Sequence, residues 1–306
     1  MRKLAAALAL LAALVSAHPA AAQTSAGITF DETVAPGRNY DKAEFKLWLP
    51  SGVASVRAIA VLVPGSNGDG RGQVDDPVWQ AFAVKHQLAL VGLRLTDKPH
   101  DQGFIEEYVN VSQGSGQAFL DAMNTFAIRA KHPELATAPF LLWGMSAGGE
   151  FNYEFVCWKP ERVVAFVVNK GNIYYTALAS REARSVPGIL FTGGKDLEFR
   201  TTAITGLFGI NRRGGALWAL AEEPSAAHVV GRSRDVALVL FEDALALRLG
   251  DGPAMKSLTE TSGFLGDLKA KTFHALGEDK VPPYPTAWLP TARVAERWQW
   301  LVTEKP

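Results

Sequence analysis

The stretch Pro139-Phe140-Leu141-Leu142-Trp143-Gly144-Met145-Ser146-Ala147-Gly148-Gly149 constrains this chain more than any other. An apolar run suited to a buried strand enters Gly-x-Ser-x-Gly directly, and a helix-compatible segment follows over 150–158. That context predicts a tight strand-to-helix turn that holds a serine above the end of a sheet in strained backbone geometry. Gly144 and Gly148 suit the turn, because neighbouring backbone passes where a side chain would clash. The helix start sets backbone N–H groups and the positive end of the dipole beside Ser146, where developing negative charge would be stabilised. The pentapeptide alone could be an ordinary turn; the strand before it and the helix after it point to a nucleophile.

On Gly144-Met145-Ser146-Ala147-Gly148-Gly149 the chain resembles the α/β-hydrolase family. The resemblance implies a catalytic serine, then an acid, then a histidine in chain order, and an oxyanion hole built partly from a loop nearer the N-terminus. Within the family it looks similar to secreted esterases: polyhydroxyalkanoate depolymerases, feruloyl esterases and dienelactone-hydrolase-like proteins. It departs from many members in carrying Pro64-Gly65 where they have His-Gly before the oxyanion loop.

The rest of the chain predicts an α/β architecture. Alternation of Phe45, Leu47 and Leu49 suggests an early antiparallel strand over 43–49. The apolar run 56–63 reads as a strand covered on both faces. Helix 77–86, strand 88–95, helix 117–131, the strand and helix around Ser146, and strands 163–168, 188–192 and 216–221 follow, with helices near 201–210 and 236–249. Repeated β-α-β-α order predicts the α/β-hydrolase fold, a mostly parallel sheet with helices on both faces. Roughly twenty residues separate strands 163–168 and 188–192, too few for a large cap domain. Beyond Gly250 the chain reads as irregular and proline-rich until a short helix carrying Val294, Trp298 and Leu301.

The candidate site residues fall at the ends of those strands. Pro64-Gly65-Ser66-Asn67-Gly68-Asp69-Gly70 directly follows a buried strand, and no Gly-Lys-Ser/Thr makes it a phosphate loop. In the hydrolase reading the N–H groups of Ser66 and Ala147 form the oxyanion hole; the alternative is a surface turn. A serine hydroxyl needs an adjacent base. His86, His100 and His132 precede Ser146, which leaves His228 and His274 for the implied chain order. His228 follows the last predicted sheet strand and is the choice for base, with His274 in the tail as the alternative. Asp196, in Gly193-Gly194-Lys195-Asp196, is the choice for acid, with Glu198 in reserve; Asp235 reads as a solvated helix residue. Asn67, Asn172, Tyr174, Tyr175 and Phe199 lie in loops where they could contact substrate, and the aromatics could equally be packing residues.

Composition sets outer bounds. The chain has 306 residues, is 48% hydrophobic and is formally neutral, with no basic stripe for a nucleic-acid partner. Met1-Arg2-Lys3, an apolar run over 4–15 and His18-Pro19-Ala20-Ala21-Ala22 read as a signal peptide over 1–22, leaving one α/β-hydrolase domain over 23–306. The apolar run is too short to span a bilayer, so no stable membrane insertion is expected. The destination is periplasmic or extracellular. Cys157 is the only cysteine, which excludes an internal disulfide, and its apolar neighbours suggest a buried small hydrophobe. No cofactor or metal is called for, and the expected partner is a small-molecule or polymer-linked ester. A serine peptidase or acyltransferase on the same fold, and a non-catalytic binding protein, are the competing readings.

Overall fold

The computed structural model describes residues 25–103, 105–249, 254–278 and 284–304. The leader expected over 1–22 lies outside the described residues. In chain order the elements are β1 (Gly27–Val34), β2 (Lys42–Pro50), β3 (Ala58–Val63), α1 (Pro77–His86), β4 (Leu88–Thr96), α2 (Ser115–Arg129), β5 (Phe140–Gly144) and α3 (Ala147–Trp158). Then come β6 (Val163–Asn169), the short α4 (Arg181–Arg184), β7 (Gly188–Gly193), α5 (Glu198–Arg213), β8 (Trp218–Glu223) and α6 (Ser233–Arg248). The chain closes with β9 (Phe264–Asp267), β10 (Thr272–Ala275), β11 (Thr286–Leu289) and α7 (Ala292–Val302).

The main sheet runs β1-β2-β4-β3-β5-β6-β7-β8. β1, β2 and β4 pair antiparallel, and β4 onward every neighbouring pair is parallel. The continuous apolar runs of the central strands explain how the sheet is covered. In β3, Ile59, Val61 and Val63 enter one core cluster while Ala58, Ala60 and Leu62 enter the other. β5 divides the same way, Phe140 and Leu142 against Leu141 and Trp143. Side chains of a strand alternate between faces, so only an unbroken apolar run can bury both. Phe119, Met123 and Phe126 of α2, Phe151 and Phe155 of α3 and Phe208 of α5 cover the first face. Trp79 of α1, Leu240 and Phe241 of α6 and Trp298 of α7 cover the second. Each such side chain stabilises the fold by about 1.5–3 kcal/mol on full burial.

Three expectations need correction. β1 was not anticipated; it pairs along its whole length with β2. The strand expected from Ala216 begins at Trp218, because Ala216 N–H and Leu217 N–H are committed to carbonyls of Asn211 and Arg184. The tail after Gly250 is not irregular throughout. Its β10-β9-β11 strands form a small antiparallel sheet whose Ala287 and Leu289 join the second core. Among the described residues, no helix is long and apolar enough to cross a membrane.

Candidate active site

Chain order brings three loops to the carboxyl ends of β5, β7 and β8, where ligands gather in open α/β sheets. The first is the turn into α3. Ser146 takes φ 55° and ψ −127°, a backbone region that L-residues rarely occupy. Its N–H donates to the Asn169 carbonyl at 2.8 Å, which pins the turn to β6. A Cβ on Gly144 would lie 2.3 Å from the Gly148 carbonyl oxygen, and one on Gly148 would lie 2.3 Å from that of Val63. Both glycines are therefore demanded by close backbone approach. Ser146 occupies the N-cap of α3, where a serine oxygen ordinarily turns back onto the helix amides. Here it makes no cap hydrogen bond.

That hydroxyl turns to His228 instead. Ser146 Oγ and His228 Nε2 are 3.0 Å apart, and His228 Nδ1 and Asp196 Oδ2 are 2.9 Å apart. An ionised carboxylate only accepts, so Nδ1–H donates to Asp196 and Nε2 is left to accept the Ser146 proton. Asp196 follows β7, and its side chain is 2% exposed. Its other oxygen accepts the Leu197 N–H at 2.7 Å and Arg200 Nη1 at 3.1 Å. Burial pushes its pKa up, but the bonds from His228, Leu197 and Arg200 and the nearby positive charge outweigh this and hold it below the ordinary value.

The loops carrying acid and base are fastened to each other. Gly194 N–H donates to Glu223 O, and Lys195 N–H to Ala226 O. Beneath them Lys170 Nζ reaches Glu223 Oε2 at 3.1 Å and Asn169 Oδ1 at 3.2 Å. Glu223 Oε1 accepts the Arg232 N–H at 2.7 Å, and Asn169 Nδ2 donates to Ser233 Oγ at 2.8 Å. His228 therefore sits on a loop tied at its start and just beyond it.

A cleft of about 500 Å³ opens over Ser146 and His228, lined also by Gly65, Ser66, Glu106, Glu150, Asn172 and Arg200. Ala147 begins α3, so its N–H has no intrahelical acceptor. Neither it nor the Ser66 N–H is hydrogen-bonded among the described residues. Two unspent amides near the serine are the groups an oxyanion requires.

The other anticipated residues divide. Asn172 lines the cleft, and its N–H donates to Glu150 Oε1 at 2.6 Å. Asn67 lines a neighbouring cavity. It holds its loop in place, at φ 50°, accepting from Asp97 N–H at 2.8 Å and donating its own N–H to the Tyr108 hydroxyl at 3.2 Å. Tyr174 packs edge-on against Tyr153 with its hydroxyl buried, Tyr175 places its hydroxyl 3.4 Å from Glu106 O, and Phe199 lies exposed beneath the Arg200 guanidinium. None of the three aromatics lines the cleft. Glu198 is the exposed first residue of α5, and His274 lies in β10 with Nδ1 3.6 Å from Glu278. Burial, followed by the Glu154 charge, pushes the Cys157 thiol up to about 12, so it stays protonated. Among the described residues no group of three or more His, Cys, Asp or Glu is placed to hold a metal.

Sequence reasoning missed Glu106, Glu150, Arg200 and the Lys170–Glu223 pair. Helical periodicity could set Glu150, four residues after Ser146, on the same side of α3, but it carries no signal of its burial.

No protein-family model matches the chain, and no curated protein matches it in sequence. Solved structures match in fold. The chain is similar to a ferulic acid esterase at 12% identity and a TM-score of 0.53, over 72% of this chain and 98% of that one. It is similar to a poly(3-hydroxybutyrate) depolymerase from Bordetella parapertussis at 14% identity and a TM-score of 0.53, over 72% and 90%. A third likeness is to poly(aspartic acid) hydrolase-1 from a Sphingomonas species, at 14% identity and a TM-score of 0.50, over 73% and 99%. Strand order, crossovers and these likenesses together define the α/β-hydrolase fold.

Proposed function

We propose that this chain is an exported serine carboxylic ester hydrolase that works through a covalent acyl-enzyme. The observation that carries the reading is the hydrogen-bonded series Ser146 Oγ, His228 and Asp196, at 3.0 and 2.9 Å, on a serine held at φ 55°. His228 Nε2 takes the Ser146 proton while Oγ bonds to the ester carbonyl carbon. The carbonyl oxygen becomes negative between the Ser66 and Ala147 amides. The carbon–oxygen bond to the alcohol then breaks, and the alcohol leaves with the proton held by His228. Water gives a proton to His228 as it attacks the acyl carbonyl, the bond to Ser146 breaks, and the proton returns to Oγ. Ester and water become acid and alcohol. Asp196 stays ionised throughout, orienting the ring and stabilising its charged form.

Two of the three likenesses are to ester-cleaving enzymes, which supports an ester substrate, and the likeness to a poly(aspartic acid) hydrolase keeps an amide polymer as the second reading. Purified protein should turn over at least one class among p-nitrophenyl esters, feruloyl esters and acetylated sugars. A fluorophosphonate should label Ser146 and lose that label in Ser146→Ala. Labelling that persists elsewhere in the variant removes Ser146 from the nucleophile role. Export is tested separately, by mass spectrometry of the N-terminus: processing near Ala22 is expected, and a chain retaining Met1 or Arg2 refutes it.

A further inference from the structure

Glu150 stands on the first turn of α3, one helical turn past Ser146, and lines the same cleft. It is 2% exposed. Oε1 accepts the Asn172 N–H at 2.6 Å, and the Ile173 amide, in the same loop, favours the charged form of the carboxyl. Oε2 is buried and has no hydrogen-bond partner among the described residues. A buried polar oxygen left unpaired is costly, and an apolar residue would pack at this helix position without that cost. The Glu106 carboxylate lines the cleft as well, close enough for its charge to act on Glu150.

Charge decides what such a place can bind. Burial pushes the Glu150 carboxyl up to about 8; the Glu106 charge acts in the same direction, against the loop amides and Arg200. Tyr108, Tyr174 and Tyr175, which also feel this carboxyl, have their own pKa values raised by burial and are neutral. At neutral pH Glu150 therefore offers an O–H, while Glu106, on the wall of the same cleft, has carboxyl oxygens that can accept. A hydroxyl group is the function that can accept from one and donate to the other. A carboxylate would meet the charge of Glu106, and an ammonium would meet the Arg200 guanidinium on the wall of the same cleft.

We propose that Glu150 and Glu106 form a subsite that binds a hydroxyl group carried by the ester substrate, beside Ser146. The inference rests on the ester-hydrolase reading and deepens it. Two matched ester pairs test it: p-nitrophenyl butyrate against p-nitrophenyl 3-hydroxybutyrate, and ethyl against 2-hydroxyethyl benzoate. The hydroxylated member of at least one pair should have a kcat/KM about tenfold or more above its partner, as expected when a buried polar site gains its hydrogen bonds. Glu150→Leu should bring that ratio to about one. Glu150→Gln, which keeps a donor but cannot ionise, should retain the preference. The wild-type preference should fade as pH rises past about 8, where Glu150 ionises, and that of Glu150→Gln should not.

The proposal is overturned by no hydroxyl preference in either pair, or by a preference that survives Glu150→Leu. Faster turnover of the p-nitrophenyl ester of 4-(trimethylammonio)butyrate than of either hydroxylated ester would overturn it in favour of a cation site. Absence of turnover for every ester sinks the hydrolase reading alone. Calorimetric binding of 2-hydroxyethyl and ethyl benzoate to Ser146→Ala then still reads the subsite, and equal affinities would remove it.

Discussion

Lys170 Nζ lies 3.1 Å from Glu223 Oε2, with the two side chains 0% and 2% exposed. Lys170 follows β6 and Glu223 ends β8, so the pair bridges beneath β7, whose end carries Asp196. Burial pushes the ammonium pKa down, and Glu223 opposes this as its counter-charge. Two ions removed from water gain little net stability, but each makes the other tolerable. The pair ties the end of β6 to the end of β8, from which the loop bearing His228 leaves.

Removing one member should therefore be worse than removing both. Lys170→Met alone is expected to cost about 3–5 kcal/mol by leaving Glu223 buried and unpaired. The double variant Lys170→Met, Glu223→Met should recover most of that loss. Urea denaturation of the three proteins checks it, and a single variant as stable as the parent would contradict it.

Ser146→Ala removes one oxygen from a side chain that makes no cap bond to α3. Its circular dichroism and melting should match the parent, while ester hydrolysis falls on the order of 10³-fold or more. An unfolded variant would instead show the hydroxyl to be structural.

His228→Ala and His274→Ala should part company on one activated ester. The first removes the ring that meets both Ser146 and Asp196, and should lose nearly all activity, leaving only binding and oxyanion stabilisation. The second removes a ring in β10 whose charged neighbour is Glu278, and should change turnover little. The reverse result would move the base to the tail.

Glu150 also predicts how stability depends on pH. Its pKa rises from 4.5 to about 8 on folding, so between those values the native state holds a proton that the unfolded chain has released. Stability supplied by this group is full below about 4.5, declines as pH rises and is gone above about 8. The change is on the order of 3–5 kcal/mol at one pKa unit per 1.36 kcal/mol. Denaturation midpoints of wild type and Glu150→Gln across this window should diverge in that sense; parallel curves would show that Glu150 ionises freely.

How far the chain could be read without coordinates varied with the kind of contact involved. The parallel strands were legible because burial on both faces demands unbroken apolar runs, as in Ala58-Ile59-Ala60-Val61-Leu62-Val63. The meeting of Ser146, Asp196 and His228 was legible through the serine, acid, histidine order that the resemblance implies, with each residue following a different sheet strand. β1 was not legible, because it packs at an edge with residues such as Ile28 half exposed and no strong alternation. The four-residue strands β9, β10 and β11 are too short for periodicity to register. Glu150 looked like an ordinary polar helix residue. Its burial depends on amides at 172 and 173 folding back over it, a contact that local sequence does not encode.

The short strands of the tail have a consequence for how this molecule lives among its own copies. β8 is the last strand of the main sheet, and an open terminal strand is a template onto which another chain can add. Here Trp298 of α7 donates its indole N–H to Leu220 O of β8 at 2.8 Å, and Glu304 accepts from Ser225 Oγ at 2.8 Å and Arg232 Nη1 at 2.5 Å. The C-terminal segment thus closes off the margin from which His228 is suspended. Cutting the chain after Leu249 should turn a self-limiting sheet into one that recruits neighbours, visible as concentration-dependent growth in light scattering. A truncated chain that stays monomeric would show that the margin needs no guard.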